Sequence, residues 1–268
     1  MKIVSFNVNS VRLRLHQLRA IIDKHDPEFI GLQETKVQDH EFPFEEILDM
    51  GYNTIFMGQK THYGVALLSR DICIHSRLGF PGEPEDAQRR FIGGLYHLGN
   101  EDWNVYNGYF PQGEARDHAI KFPAKRKFYS DLTDYLRQTH GPNENVIVMG
   151  DFNVAPQDSD IGIGADNARR WLKTGKTSFL PEEREWFESL CELGYHDAFR
   201  VVHPDEDNLF SWFDYRSRGF EREPRRGLRI DHLLVTGALK GRVKAAGIDY
   251  DIRAMDKPSD HAPVWIEL

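Results

Sequence analysis

The sequence predicts an α/β protein in which two packed, mostly antiparallel β-sheets are covered by helices, and three observations predict it. The chain opens as strand, helix, strand; between residues 52 and 109 the apolar pattern changes to a period of two; and from residue 122 a long helix leads back into a buried strand. Strands with helices at two places, and many antiparallel strands between, fit two sheets whose outer faces need helical cover. At 268 residues the chain could hold two domains, but no Gly/Ser- or Pro-rich linker divides it, so one domain spanning 1–268 is expected.

Each element has its own justification. Lys2 to Asn7 alternates and is rich in β-formers, giving a first strand. Asn9 or Ser10 can cap the helix that follows, where Val11, Leu15, Leu18 and Ile22 share a face, and Pro27 marks the return to extended chain before the strand Phe29 to Leu32. Residues 52–56, 63–69, 72–78, 90–98 and 102–109 read as short strands parted by glycine-containing turns. Phe128, Leu132, Tyr135 and Leu136 give the helix over 122–139 a buried face, and Asn145 to Met149 is an apolar strand that stops at Gly150. A polar stretch over 155–178 includes a short helix near Asn167 to Leu172, and loops of that length are often functional. Pro181-Glu182-Glu183 begins a helix, with proline in the first turn and acids at the positive end of the dipole. Strands are expected again over 209–215, 228–235, 243–250 and 262–266. Phe-Asn-Val occurs at 6–8 and at 152–154, each time at a strand end, a weak sign of duplication.

Hydrophobic residues make up 40% and charged residues 28%, ordinary for a globular protein with a full core. No run of about 18 apolar residues is present, and Met1 to Asn7 is too short and polar for a signal peptide, so a cytoplasmic protein is expected. Cys73 and Cys191 read as reduced thiols with no zinc-type spacing. The net charge of −8 argues against coating nucleic acid through an overall field. It leaves room for local footprints at Lys121, Lys125, Arg126 and Lys127, and at Arg216, Arg218, Arg222, Arg225, Arg226 and Arg229.

The chemistry gathers at strand ends. Asp151 and Asn153 stand two apart, so an extended segment would place them on one face, a carboxylate able to move a proton beside a carboxamide able to hold an anion. Asn7, Glu34, Asp231 and Asp260 also end expected strands, and such ends can meet at one rim of a sandwich. Hard oxygen ligands without a soft cluster suit Mg²⁺ or Mn²⁺. Ser259-Asp260-His261 is not a nucleophilic triad, since adjacent residues point opposite ways and no G-x-S-x-G elbow occurs. His261 is better read as a cation or general acid/base held by a separate carboxylate, for which Asp231 is a candidate.

Gln33-Glu34-Thr35-Lys36, Gly108-Tyr109-Phe110-Pro111-Gln112-Gly113, Gly150-Asp151-Phe152-Asn153, Ser211-Trp212-Phe213-Asp214-Tyr215, Arg229-Ile230-Asp231 and Ser259-Asp260-His261-Ala262-Pro263-Val264 follow in the order and spacing of the bacterial exonuclease III family. The sequence resembles that family along its whole length, within the superfamily of Mg²⁺ phosphoesterases that includes DNase I. One departure is Ser10, where the family usually has glycine.

The resemblance implies a four-layer, DNase I-like α/β sandwich that hydrolyses DNA phosphodiesters with Mg²⁺ or Mn²⁺. It implies Glu34 as principal metal ligand with Asn7 and Asp260 near it. Asp151 would activate water or protonate the leaving oxygen, Asn153 hold the phosphate, Tyr109 stabilise charge on phosphorus, and His261, oriented by Asp231, contact the scissile phosphate. Trp212 and Leu228, with Phe213 beside them, would line a pocket for a flipped-out abasic sugar, although aromatics in a strand are ordinarily core. Gln112 and Arg90 would probe the duplex near the lesion and Lys121 meet phosphate. The partner implied is double-stranded DNA with abasic sites or 3′ ends, bound by a monomer, with no membrane involved. Two rivals stand beside this reading: hydrolysis of a phosphorylated lipid or inositol headgroup on the same frame, and a DNA-binding protein without catalysis.

Overall fold

In the computed structural model, which describes residues 1–268, the chain opens with β1 (Lys2–Asn7), α1 (Leu15–His25) and β2 (Phe29–Gln33), the two strands lying parallel with Asn7 opposite Gln33. It continues through α2 (Phe44–Asp49), β3 (Asn53–Met57), β4 (Val65–Ser69), β5 (His75–Leu78), β6 (Phe91–Leu98) and β7 (Glu101–Tyr109). A second βαβ unit follows, in which α3 (Lys121–Thr139) leads from β7 to the parallel β8 (Asn145–Asp151). The remainder is α4 (Ala165–Thr174), α5 (Pro181–Glu192), β9 (Tyr195–Asp197), α6 (Ala198–Val202), β10 (Asp231–Thr236), α7 (Gly237–Lys240), β11 (Ala245–Ile248), α8 (Tyr250–Arg253) and β12 (Val264–Glu267).

The strands form two six-stranded sheets, ordered β11-β12-β1-β2-β4-β3 and β5-β6-β7-β8-β10-β9. All neighbours are antiparallel except β1–β2 and β7–β8. The two orders are one topology, β5-β6 standing for β11-β12, β7-β8 for β1-β2, and β10-β9 for β4-β3. The repeated Phe-Asn-Val does not mark this symmetry. One copy straddles the end of β1 and the other follows β8, whose counterpart is β2.

Alternation sorts the apolar residues into layers. Ile3, Phe29, Val65 and Leu67 of the first sheet meet Ile92, Val105, Ile147, Met149 and Leu233 of the second between the sheets. Their neighbours Val4, Phe6, Ile30, Leu32 and Leu68 face outward under Leu18 and Ile21 of α1 and Ile47 of α2. On the far side, Tyr106, Val146, Val148 and Leu234 are covered by Phe128, Leu132 and Leu136 of α3 and by Phe187 and Leu190 of α5. Each such side chain contributes about 1.5–3 kcal/mol by leaving water. The result is helix, sheet, sheet, helix: the four-layer sandwich.

Local departures have physical causes. Neither Asn9 nor Ser10 caps α1 with its side chain; a 3₁₀ turn over Val11–Leu13 comes first and α1 starts after Arg14. Asn9 spends its amide on Asp260 and Lys36 instead, and Ser10 is held at φ 93, a conformation that favours glycine. The expected strand over 209–215 is reduced to two isolated bridges of Trp212, to Leu228 and to His261, because Ser211 Oγ accepts the N–H groups of Ile230 and Asp231 that a ladder would have used. α2, β9, α6, α7 and α8 were not expected, being too short to show a period.

Between the sheets a polar layer interrupts the apolar one. Gln33 Nε2 donates to Asn107 Oδ1 at 2.6 Å and to Ser5 Oγ at 3.0 Å, while Asn107 Nδ2 donates to Leu32 O at 2.9 Å and Ala66 O at 2.8 Å. Gly31 makes this possible, since a Cβ there would lie 2.9 Å from the Asn107 side chain. Asn107→Ala should therefore lower the unfolding free energy by about 2–4 kcal/mol, because it leaves several buried groups unpaired, and urea denaturation would measure it.

Candidate active site

Strands of both sheets end at one rim, and their last residues converge there. Asn7, at the end of β1, donates its amide to Glu34 Oε1 at 2.9 Å and to Asp151 Oδ2 at 3.0 Å, so one carboxamide spans the two sheets. Asp151 ends β8 with Tyr109 of β7 on one side and Asp231 of β10 opposite on the other. Asp231 Oδ2 holds His261 Nδ1 at 2.8 Å, and the other ring nitrogen lies 3.7 Å from Asp151 Oδ2. Ligand-type atoms of Glu34, Asp151 and His261 all fall within 4.8 Å of one another.

Asp151 and Asn153 do come together, but not by strand geometry. The strand stops at Asp151 and Asn153 turns to φ 53, its N–H bonding Asp151 Oδ1 at 3.0 Å and its amide donating to Phe110 O at 2.9 Å. Only glycine fits at 150, where a Cβ would stand 1.9 Å from Gly108 O of the neighbouring strand.

Burial and charge set the protonation of the cluster. Burial would raise Glu34, but Lys36, whose ammonium lies 2.8 Å from Oε2, and the Asn7 amide outweigh it and hold Glu34 below the usual carboxylate range. Asp151 goes the other way: burial, with the Asp231 and Glu34 charges adding, pushes it well up against the pull of His261. Burial opposes the His261 cation, yet Asp231 and Asp151 together raise its pKa above the ordinary histidine value. Burial and the nearby Glu34 charge keep the Tyr109 phenol protonated. The arrangement is an ionised carboxylate, an imidazolium, a phenol donor and a carboxyl able to carry a proton.

A cleft of about 370 Å³ opens over these groups. Glu34, Tyr109, Asp151, Asn153, Asp260 and His261 line it, with Gln112 and Trp212. Trp212 Nε1 donates to Asp260 Oδ2 at 3.0 Å, which ties the indole to the acidic cluster. Other expected residues lie elsewhere. Phe213 is fully buried, its ring against Phe220 and Tyr250, and Leu228 is buried with Ile163, Phe179 and Ile230; of Leu228 and Ile230 it is Ile230 that reaches the cleft. Arg90 stands beside the cleft, its guanidinium between the rings of Tyr63 at 4.2 Å and Tyr109 at 4.6 Å. Lys121 is exposed and paired with Glu114 at 2.6 Å. Trp171 and Lys176 line the cleft without having been singled out, Lys176 Nζ lying 3.7 Å from the indole centroid; the long polar stretch over 155–178 was the signal for them.

The basic clusters divide by burial. Arg170, Lys176, Arg222 and Arg226 surround a hollow of about 180 Å³ that adjoins the cleft through Trp171 and Trp212. Arg229 does not belong to that face. It is buried, with Nε on Asp160 at 2.6 Å, Nη2 on Asp197 at 2.7 Å and Nη1 3.0 Å from His232 Nδ1. This cluster braces the start of β10, two residues before Asp231.

Known proteins resemble the chain throughout. The model of the Endonuclease/Exonuclease/phosphatase family matches residues 4–261. An exodeoxyribonuclease III of Haemophilus influenzae is 53% identical over 268 residues, all of both chains. A 3′ phosphatase from Neisseria, solved bound to product DNA hairpin, superimposes with a TM-score of 0.90 at 37% identity, covering 100% of this chain and 99% of that one. An AP endonuclease from Archaeoglobus fulgidus gives 0.89 at 33% identity, covering 99% and 98%.

The Arg229 cluster makes stability sensitive to acid. Burial alone would raise Asp160 and Asp197, but Arg229 more than offsets it and depresses both. Groups with depressed folded pKa values stabilise fully above their unfolded values and lose that contribution as pH falls through the folded ones. Unfolding free energy should therefore fall progressively below about pH 4. Arg229→Met should lose about 3–5 kcal/mol at pH 7 and flatten this acid slope, as urea unfolding across pH would show.

Proposed function

The chain belongs to the Endonuclease/Exonuclease/phosphatase family, and from that premise we propose that it is a Mg²⁺-dependent DNA-repair phosphodiesterase, with Mn²⁺ as an alternative ion. It nicks duplex DNA 5′ to abasic sites, clears blocked 3′ ends as a 3′-phosphatase and 3′-phosphodiesterase, and removes nucleotides from 3′ termini. The observation that carries the reading is the convergence of Glu34, Asp151 and His261 under a cleft that also holds Tyr109, Asn153 and Trp212.

The donor set fits a hard divalent ion. Glu34 and Asp260 would hold it, with Asn7 orienting Glu34, and no thiolate competes. When bound, the ion supplies charge neutralisation at the phosphoryl oxygens. The remaining chemistry belongs to side chains. His261, fixed by Asp231, the Asn153 amide and the Tyr109 phenol donate to the non-bridging oxygens as charge develops, and one such donor is typically worth roughly 2.7–4 kcal/mol. Asp151, whose carboxyl burial has raised, either activates the attacking water or protonates the leaving oxygen. Trp212 forms a wall for the abasic sugar, where unstacking is cheapest because the base is missing. With a net charge of −8, contact with DNA rests on the local cations Arg170, Lys176, Arg216, Arg222 and Arg226 around the cleft. No helix is long and apolar enough to cross a membrane; we take the enzyme to act in the cytoplasm as a monomer.

A labelled duplex with one abasic analogue, incubated with Mg²⁺ and separately with EDTA, tests the reading. The expected product is a nick immediately 5′ of the lesion, only with the ion. No cutting under either condition, by folded protein, would favour a phosphorylated headgroup as substrate. Asp151→Asn should reduce cleavage at least about 100-fold while duplex binding in a gel-shift assay persists, and unchanged cleavage would sink the mechanism.

A further inference from the structure

Lys125 sits among the surface cations of α3 in sequence, yet it is wholly buried, and its ammonium lies 2.5 Å from the equally buried Glu183. Its remaining donors go to main-chain oxygens, to Asn153 O at 2.8 Å and Gln112 O at 3.3 Å. Glu183 turns its second oxygen on the N–H groups of Ser178 and Leu180, both at 2.8 Å. One turn along α3, Tyr129 donates to Phe152 O at 2.8 Å, so a single helix grips two successive carbonyls of the turn that follows Asp151.

A buried ion pair is a weak source of stability, because desolvation takes back most of the Coulombic gain. Its effect here is geometric. Ser178 at φ 108 occupies a conformation that residues with a side chain rarely keep unless their surroundings hold them, and Asn153 at φ 53 lies in the left-handed region, which asparagine tolerates but which leaves the turn to be fixed by its hydrogen bonds. Both are within the reach of the pair, and both line the cleft.

We infer that Lys125, with Glu183 as its counter-charge, is a positioning residue that locks the backbone of Asn153 and Gln112 and thereby aims the Asn153 amide at the scissile phosphate. Lys125 meets no substrate and acts through Asn153; the inference rests on the reading of Asn153 as a phosphate donor.

The test measures kcat and KM on the abasic duplex for Lys125→Met, and for Lys125→Met/Glu183→Gln, which removes both charges and so keeps the test open if the single change unfolds the protein. Each is made with and without Asn153→Ala. A folded double variant, its thermal midpoint near that of the parent, should show kcat lowered about 100-fold with KM little changed, since small misplacements near a reaction have that size of effect. In the Asn153→Ala background the same changes should make no further difference. Full kcat in the folded double variant, or an equal loss with and without the Asn153 side chain, overturns the inference. A parent protein that does not cut at all overturns the phosphodiesterase reading along with it.

Discussion

Every contact at the rim depends on the two sheets keeping one alignment across their interface, and apolar packing alone specifies that alignment poorly. Hydrophobic contact is non-directional, so a slide of one sheet over the other exchanges similar neighbours. Hydrogen bonds between buried amides tolerate no such slide. Gln33 and Asn107 meet between the sheets close behind the rim, and Asn7 bridges Glu34 of one sheet to Asp151 of the other. The polar layer therefore fixes the separation of groups that arrive on different sheets. Gly31 belongs to the same device, giving up a side chain so that Asn107 can reach across.

The electrostatics follow from that placement. Asp151 and Asp231 sit opposite one another on paired strands, an arrangement in which two carboxylates repel. His261 relieves it by pairing with Asp231 and drawing Asp151 down, while burial, with the Asp231 and Glu34 charges, still leaves Asp151 with a raised pKa. Lys36 does the corresponding service for Glu34 on the other sheet. Two acids at one rim thus show opposite protonation behaviour, Asp151 raised chiefly by its burial and Glu34 held down by Lys36 and Asn7, a pattern that separates a carboxylate fit to hold a cation from a carboxyl fit to carry a proton.

Much of this was legible in the sequence, and what was not failed for particular reasons. Strands β1 to β8 announced themselves, all but β5 with its exposed side chains because they bury at least part of one face, and α3 because its apolar residues recur at helical spacing. Elements such as β9, α7 and α8 are too short for any period to register. Residues 209–215 alternate like a strand, but Ser211 diverts the hydrogen bonds, and Phe213 serves the core where a substrate contact was expected. The spacing of Asp151 and Asn153 suggested the right neighbours through the wrong backbone. Lys125 and Arg229 show the plainest limit: a basic run in sequence does not say which of its members is inside, and here the buried ones brace the loops while their exposed neighbours face solvent.

The matching order of the two sheets has a consequence for how the chemistry is shared. Asn7 and Glu34 come from the strand-helix-strand unit that opens the chain, Tyr109 and Asp151 from its counterpart in the second sheet. On the proposed function, corresponding strand ends in two like halves carry unlike tasks, one half furnishing the seat for the cation and the other the proton traffic. Such a division of labour leaves neither half competent alone, and it frees each to vary its own side chains so long as the seam between them is kept.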